Sequence, residues 1–298
     1  MTDVQRRLGI FSVFFLTLIF IGFFQSWNVA LGIFNLCLIS ATMALGVNIQ
    51  LGYAGIFNAG VMGFAALGGL SAVLIAYPPV PETIKLGGKG VLLAFIILIV
   101  GAWLITFIYK SNQTKRFKKI IIPLIILILL VLFNFIGSPA IKKIEAFEPA
   151  ATGFLGGLGL PILFSWIVGG VFAGIVAYFI GKLTLGLRSD YLAIATLGIA
   201  EVIIYFLKNE NWLTRGVKNV NGLPRPVPYE VDLQGNKWFI EFCERYNFPL
   251  VETSSIVVKI SYCLLFSGVL ITLFVLSEIA LKSPWGRMMR AIRDNEVS

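Results

Sequence analysis

Histidine is absent from the sequence and cysteine is rare, which limits the kinds of site that the chain can build. Without histidine, the chain lacks the commonest metal ligand and the usual proton shuttle at neutral pH. Its three cysteines, Cys37, Cys243 and Cys263, are far apart, so they predict neither a disulfide framework nor a CxxC metal site. We therefore expect no metal site in this chain.

A motif for binding ATP is also absent from the sequence. Such a site needs a phosphate cradle of the form GxxxxGK followed by Ser or Thr. The two Gly-Lys pairs, at 88–89 and 181–182, lack both the earlier glycine and the following hydroxyl residue. No Ser-His-Asp or Cys-His arrangement is present either. The chain is predicted not to be an enzyme, to have no catalytic residue and to bind no cofactor itself.

Charged residues are scarce as well, and apolar residues take their place. Only 13% of the 298 residues are charged, about half of the ~25% typical of soluble domains, and 58% are hydrophobic. We predict an all-α, polytopic helical bundle of about eight transmembrane helices, because that many apolar runs approach the ~20 residues that cross ~30 Å of hydrocarbon. The runs are 8–24, 29–49, 56–76, 90–109, 120–136, 161–181, 190–207 and 256–279.

The basic residues predict how these spans are oriented. With Arg6 and Arg7 in the cytoplasm, every strongly basic connection falls on the cytoplasmic side, namely 110–119, 182–188 and 282–293. This positive-inside bias explains the net charge of +9 better than binding to nucleic acid does. The sequence therefore predicts a multi-pass inner-membrane protein with a cytoplasmic N-terminus.

The longest connection, 208–255, faces outward in this topology. It contains four prolines, several aromatic residues and similar numbers of acidic and basic residues. It is too long for a simple turn and too aromatic for a disordered tether. We expect a small folded extracytoplasmic cap within the transmembrane domain, which either docks a partner or shields the ends of the spans.

The stretch 51–70 is rich in glycine and is flanked by polar residues. Such segments are tolerated at membrane depth only against protein or a watery cavity. One interpretation is close packing of helices through small residues. The other is a lining for a translocation pathway, with these candidates: Asn48, Gly52, Tyr53, Gly55, Asn58 and Gly60.

The span 190–207 contains a carboxylate, Glu201, well inside its apolar run. Its nine Leu, Ile, Val and Phe residues supply roughly −3 to −5 kcal/mol of insertion free energy, and a central carboxylate costs about 3 kcal/mol. We expect Glu201 to face the bundle interior or a cavity, either in a pathway together with Thr196 or in a structural hydrogen bond.

The last segment, 283–298, is the one strongly basic amphipathic stretch of the sequence. Trp285, Met288, Met289 and Ile292 form an apolar stripe at helical spacing, and arginines lie on its flank. Such a helix lies on lipid headgroups or plugs into a groove of another protein.

Three motifs in this order resemble those of permease subunits of branched-chain amino-acid ABC importers, the LivM-like family. They are LGVNIQLGYAGIFNAGVMGFAALGG at 45–69, LRSDYLAIATLGIAEVI with LTRGVKNVNGLPRP within 187–226, and SPWGRMMRAIRDNE at 283–296. The resemblance implies a transmembrane permease domain over 1–298 that works with ABC ATPase subunits, a second permease subunit and a periplasmic or extracellular substrate-binding protein. ATP would be used by the partner subunits, and the chain would lie in the lipid bilayer of a bacterial inner (plasma) membrane.

In that family the third motif is the cytoplasmic coupling segment, 283–298 here, which docks into a groove on the ATPase subunit. The resemblance and the apolar stripe together nominate these ATPase-coupling residues: Trp285, Gly286, Arg287, Met288, Arg290, Ala291, Ile292, Arg293, Asn295 and Glu296. The implied function is ATP-driven import of branched-chain or related apolar amino acids. The alternatives are a permease for urea or short amides and an autonomous carrier or channel.

Two departures from the family pattern bear on these expectations. Arg215 stands in the 214–216 turn where many family members have glycine. Family members also continue with further spans after the coupling segment, whereas this sequence stops at Ser298. The permease domain is therefore expected to be incomplete at its C-terminal end.

Overall fold

The computed structural model describes residues 3–111, 114–149, 152–184 and 186–294, and within these ranges the chain is helical with no β-strand. The helices, in chain order, are α1 Asp3–Phe24, α2 Trp27–Asn48, α3 Val61–Ala76, α4 Pro81–Thr83, α5 Lys89–Lys110, α6 Lys115–Ala146, α7 Ile162–Thr184, α8 Ser189–Asn209, α9 Asn211–Thr214, α10 Glu230–Gln234, α11 Lys237–Arg245, α12 Leu250–Lys282 and α13 Pro284–Asp294. Two π-helical turns, Ile49–Tyr53 and Ile84–Gly88, extend α2 and join α4 to α5.

In the described part of the chain, seven helical segments are long and apolar enough to cross a membrane. They are α1, α2 with its π-turn, the continuous α4–α5 segment, α6, α7, α8 and α12. The predicted all-α polytopic bundle is confirmed. The eighth apolar run, 56–76, contributes the shorter helix α3, which begins only at Val61 because the chain leaves helical geometry around Gly55.

The first compact unit, called unit 1, comprises 1–59, 187–194 and 225–298. Its main packing joins α2 to α12, and α1 packs on α2 across a tight turn at 25–26. Ser26 caps α2, since its hydroxyl accepts a hydrogen bond from the backbone N–H of Asn28 at 3.1 Å. The helices α10, α11 and α13 pack on α12.

The second compact unit, unit 2, comprises 60–186 and 195–224. It is built from two antiparallel pairs, α3 with α7 and α5 with α6. Small residues let each pair approach closely: a Cβ on Gly101 would overlap Leu129, and one on Gly169 would overlap the hydroxyl of Ser71. The Ser71 hydroxyl donates to the carbonyl of Ser165 at 3.1 Å.

Candidate functional site

The amphipathic segment predicted at the C-terminal end forms α13, which turns sharply away from α12. Pro284 occupies its first position, where a missing N–H costs nothing. A side chain at Gly286 would overlap the carbonyl of Leu281, so this corner needs a glycine. Arg290 closes the same corner by donating to the carbonyls of Gly286 at 3.2 Å and Leu281 at 3.4 Å.

The apolar stripe of α13 divides between two environments. Met289 is buried within the chain at 8% exposure, whereas Trp285, Met288 and Ile292 remain 42–53% exposed. Arg287 is also exposed. The described part of α13 therefore presents an exposed apolar face, which we call the α13 face: Trp285, Met288 and Ile292. Arg287 lies about 100° around the helix from Met288, on the polar flank.

The other end of α13 contacts the glycine-rich segment that follows α2. The guanidinium of Arg293 donates through Nη1 to the carbonyl of Gly52 at 3.1 Å. Gly55 has a φ of 71°, and a Cβ there would lie 2.7 Å from Cγ of Arg293. Gly55 thus supplies both a left-handed backbone and the space for Arg293. We call this contact the α13–α2 junction: Gly52, Gly55 and Arg293.

The junction joins residues from two motifs that the sequence analysis treated separately. Gly52 and Gly55 are predicted pathway residues, and Arg293 is a predicted coupling residue. Asn48 is exposed at the end of α2, Tyr53 is half-buried in the π-turn and Asn58 is half-buried just beyond it. The remaining predicted coupling residue in α13, Ala291, is exposed. Asn295 and Glu296 lie outside the described residues.

The other pathway candidates belong to unit 2. Gly60 immediately precedes α3 and is buried. In α8, Thr196 is buried at 6% exposure, whereas Glu201 is exposed on the surface of the chain. The helices α3 and α8 cross next to this carboxylate, where a Cβ on Gly63 would lie 3.0 Å from Cα of Ala200.

Beyond this crossing, unit 2 contains a pocket of about 260 Å³ between α3 and α8. Its lining is mainly apolar and includes Gly69 and Leu207, with Lys208 and Thr214 as its polar members. The Thr214 hydroxyl donates to the carbonyl of Leu207 and accepts from the N–H of Gly216 at 2.9 Å. The 214–216 turn therefore closes the end of α8.

Arg215, the residue that departs from the family pattern, has a structural environment of its own in unit 2. Its backbone is left-handed, with a φ of 66°, and its side chain is 7% exposed. The guanidinium lies 5.8 Å from the ring centroid of Phe154, within the range of a cation–π interaction. Arg215 therefore makes a buried contact with Phe154 at this turn.

A polar cluster between α2 and α12 was missed by the sequence analysis. The ammonium of Lys259 donates to the carbonyl of Asn28 at 2.9 Å, and the amide of Asn35 donates to the carbonyl of Lys259 at 3.0 Å. Asn28 and Asn35 are seven residues apart, so they share one face of α2. The seven-residue spacing of the two asparagines, together with a single lysine inside an apolar run, could have indicated this contact.

Comparisons with known proteins match the second half of the chain to a family of transport permeases. The family model described as "Branched-chain amino acid transport system / permease component" matches residues 149–298, which is 150 of the 298 residues. The permease protein LivM of the high-affinity branched-chain amino acid transport system of Escherichia coli (strain K12) is 29% identical over 137 residues. The corresponding LivM of Salmonella typhimurium (strain LT2) is 28% identical over 135 residues.

These matches cover only part of each protein. They include 44% and 43% of this chain, and 31% and 30% of the two relatives, respectively. The matched part is thus less than a third of the length of either relative. No solved structure matches the chain.

Proposed function

Because the chain belongs to the family of branched-chain amino acid transport system permease components, we propose that it is a permease subunit of an ATP-driven importer. Its cargo in this proposal is branched-chain or related apolar amino acids. The chain supplies the membrane passage, and separate ABC ATPase subunits hydrolyse ATP. A soluble binding protein delivers the substrate on the opposite side, and a second permease subunit completes the passage.

The observation that carries this proposal is the α13–α2 junction. The α13 face is free to bind a cytoplasmic partner, while Arg293 on the same short helix contacts the carbonyl of Gly52. A force on the α13 face is therefore passed through Arg293 to the glycine-rich segment that follows α2. Closure of the ATPase subunits would move α13, and the junction would move the pathway segment with it.

Glu201 supports the need for a second permease subunit. It is exposed on the chain in the middle of a span, where a carboxylate facing lipid costs about 3 kcal/mol. A neighbouring subunit or the aqueous passage that it encloses removes that cost. We therefore propose that the surface of α8 around Glu201 faces the passage between two permease subunits.

The proposed orientation places α13 and the N-terminus in the cytoplasm. The basic edge of α13 then obeys the positive-inside rule. The α10–α11 region lies at the other end of α12, on the side from which the binding protein approaches. This arrangement puts ATP hydrolysis and substrate delivery on opposite sides of the membrane.

Charge reversal at Arg287 tests the docking of α13. Arg287 is exposed, and in the described part of the chain its side chain makes none of the corner bonds formed by Arg290. Arg287→Glu should weaken binding of the ATPase subunit by about 2 kcal/mol, roughly 30-fold, because it places like charges or an unpaired charge in the interface. The measurement is ATPase co-purification together with amino-acid uptake.

The matched control is Lys182→Glu, which reverses an exposed charge in the last turn of α7, also on the proposed cytoplasmic side. It should leave ATPase binding unchanged. If Arg287→Glu and Lys182→Glu behave alike, the docking assignment fails. If the chain transports amino acids in liposomes without ATPase subunits, it acts as an autonomous carrier and the importer proposal fails.

A further inference from the structure

The helix α11, in unit 1, carries a row of exposed aromatic rings beside a buried face. Phe239 and Cys243 are buried at 3% and 2% exposure, so they hold α11 against the rest of unit 1. The rings next to this face are exposed, at 71% for Trp238, 57% for Tyr246 and 50% for Phe248. The aromatic stripe is defined as Trp238, Phe242, Tyr246 and Phe248.

The rings of the aromatic stripe form one continuous surface. Trp238 stacks on Phe242 with centroids 6.0 Å apart, and Phe242 lies 5.1 Å from Tyr246. The chain then folds back, because the N–H of Phe248 donates to the carbonyl of Cys243 at 2.9 Å. Phe248 thereby stacks on Tyr246 at 6.0 Å, immediately before α12 begins at Leu250.

The packing of α2 on α12 sets the depth of the aromatic stripe in the membrane. Both helices have their C-terminal ends at α13, so they run in parallel. The Asn35–Lys259 hydrogen bond brings these two residues level. Because both helices rise about 1.5 Å per residue, Asn28, seven residues before Asn35, is level with position 252 near the start of α12.

The α1–α2 hairpin marks the edge of the hydrocarbon at this same level. Its turn at 25–26 joins two membrane-spanning helices, so the turn lies where the hydrocarbon ends. The side-chain amide of Gln234, at the end of α10, donates to the Ser254 hydroxyl at 2.8 Å and ties α10 and α11 to that level of α12. Gln234 and Phe248, which flank α11, therefore lie close to the level at which the hydrocarbon ends.

We propose that the aromatic stripe of α11 binds the headgroup region of the bilayer and anchors this end of α12 in it. Tryptophan and tyrosine favour this region because their rings are apolar and their N–H and O–H groups need polar partners. The charged residues of α11 sum to zero, namely Lys237, Glu241, Glu244 and Arg245. Lys237 and Glu244 lie on the polar arc, whereas Glu241 and Arg245, three and seven residues after Trp238, lie beside the stripe. Binding therefore needs no anionic lipid, and phosphatidylcholine suffices.

Spin-label accessibility tests this proposal in the full chain reconstituted in phosphatidylcholine nanodiscs. A nitroxide is attached at Trp238→Cys or, as the matched control on the polar arc, at Glu244→Cys, with the three native cysteines replaced by alanine. At position 238 the label should collide with oxygen severalfold more often than with a water-soluble nickel chelate. At position 244 this preference should be reversed.

A second measurement keeps the native cysteines, of which Cys243 is buried. The difference in fluorescence between the wild-type chain and Trp238→Phe isolates the signal of Trp238, and lipid brominated near its headgroups should quench that signal. Equal access of the nickel chelate to positions 238 and 244, or quenching by aqueous iodide instead of bromolipid, would overturn the proposal. Protection of position 238 that arises only after a soluble binding protein is added would also overturn it, in favour of protein docking.

Discussion

The two amphipathic helices at opposite ends of α12 differ in what surrounds them, although both combine a buried face with an exposed apolar one. The helix α11 exposes rigid aromatic rings, and its charged residues balance. The helix α13 exposes Trp285, Met288 and Ile292 beside arginines. Methionine adapts its shape to a protein groove, whereas tryptophan and tyrosine suit a lipid interface. The two helices have similar periodicity, but the side chains that they expose differ, and these side chains predict different partners.

The helices also differ in how they are connected to the rest of unit 1. The helix α11 is held by the apolar contacts of Phe239 and Cys243, and its neighbour α10 by the Gln234–Ser254 bond near the start of α12. The helix α13 reaches past α12 and contacts the carbonyl of Gly52. Movement of α13 is thus passed to a second segment, while α11 serves as an anchor.

The largest expected effect comes from filling the space at the α13–α2 junction. Gly55→Ala places a left-handed backbone on alanine, which costs about 1–2 kcal/mol. It also forces Arg293 to move, which adds about 1–3 kcal/mol. We expect most ATP-driven uptake to be lost while the chain still inserts into the membrane, as measured by uptake in proteoliposomes and by the amount of chain recovered.

Gly222→Ala is the matched control for this substitution. Gly222 has a φ of 84°, and a Cβ there meets no atom within 4 Å. Alanine at this position therefore introduces backbone strain without a steric clash. Its uptake should stay close to that of the wild type. If both variants lose uptake equally, backbone strain explains the effect and the contact with Arg293 carries no coupling.

A smaller effect is expected from the register between α2 and α12. Asn35→Ala removes the hydrogen bond to the Lys259 carbonyl and should lower the free energy of unfolding by about 1–2 kcal/mol in detergent. Thr42→Ala is the control on the same helix, since the hydrogen bond from the Thr42 hydroxyl to the carbonyl of Leu38 lies within α2. Equal losses from the two substitutions would mean that the interhelical bond stabilises the chain no more than a hydrogen bond within α2 does.

The smallest effect is expected from the aromatic stripe. Trp238→Ala should destabilise the chain by about 1 kcal/mol in lipid nanodiscs, because it removes apolar area from the headgroup region. Trp238→Phe should retain most of that stability. Both variants are compared by thermal unfolding in nanodiscs, and a loss for Trp238→Phe as large as that for Trp238→Ala would contradict a role for apolar area.

Apolar periodicity alone predicted most of the fold. It located the seven long spans, because each must hide its backbone from lipid within a single helix. It placed the start of the third apolar run at 56, whereas α3 begins at Val61. That start depends on the left-handed backbone of Gly55, which the composition of the run does not reveal.

The candidate site was predicted less completely. The sequence identified the α13 face but not that Arg290 turns back to close the corner with α12. The contact between Arg293 and Gly52 spans 241 residues, and no local pattern encodes it. Lys259 was overlooked because one lysine hardly changes the apolarity of a long run, although its partners on α2 make it an interhelical contact.

Photo-crosslinking from α13 and α11 tests the central comparison most directly. A benzophenone side chain is placed at Met288 on the α13 face or at Trp238 on the aromatic stripe, in membranes that contain the chain with its ATPase and binding-protein partners. We predict that position 288 crosslinks to the ATPase subunit and position 238 to lipid. Crosslinks from position 288 to lipid, with none to the ATPase subunit, would contradict the proposal that α13 couples ATP hydrolysis to transport.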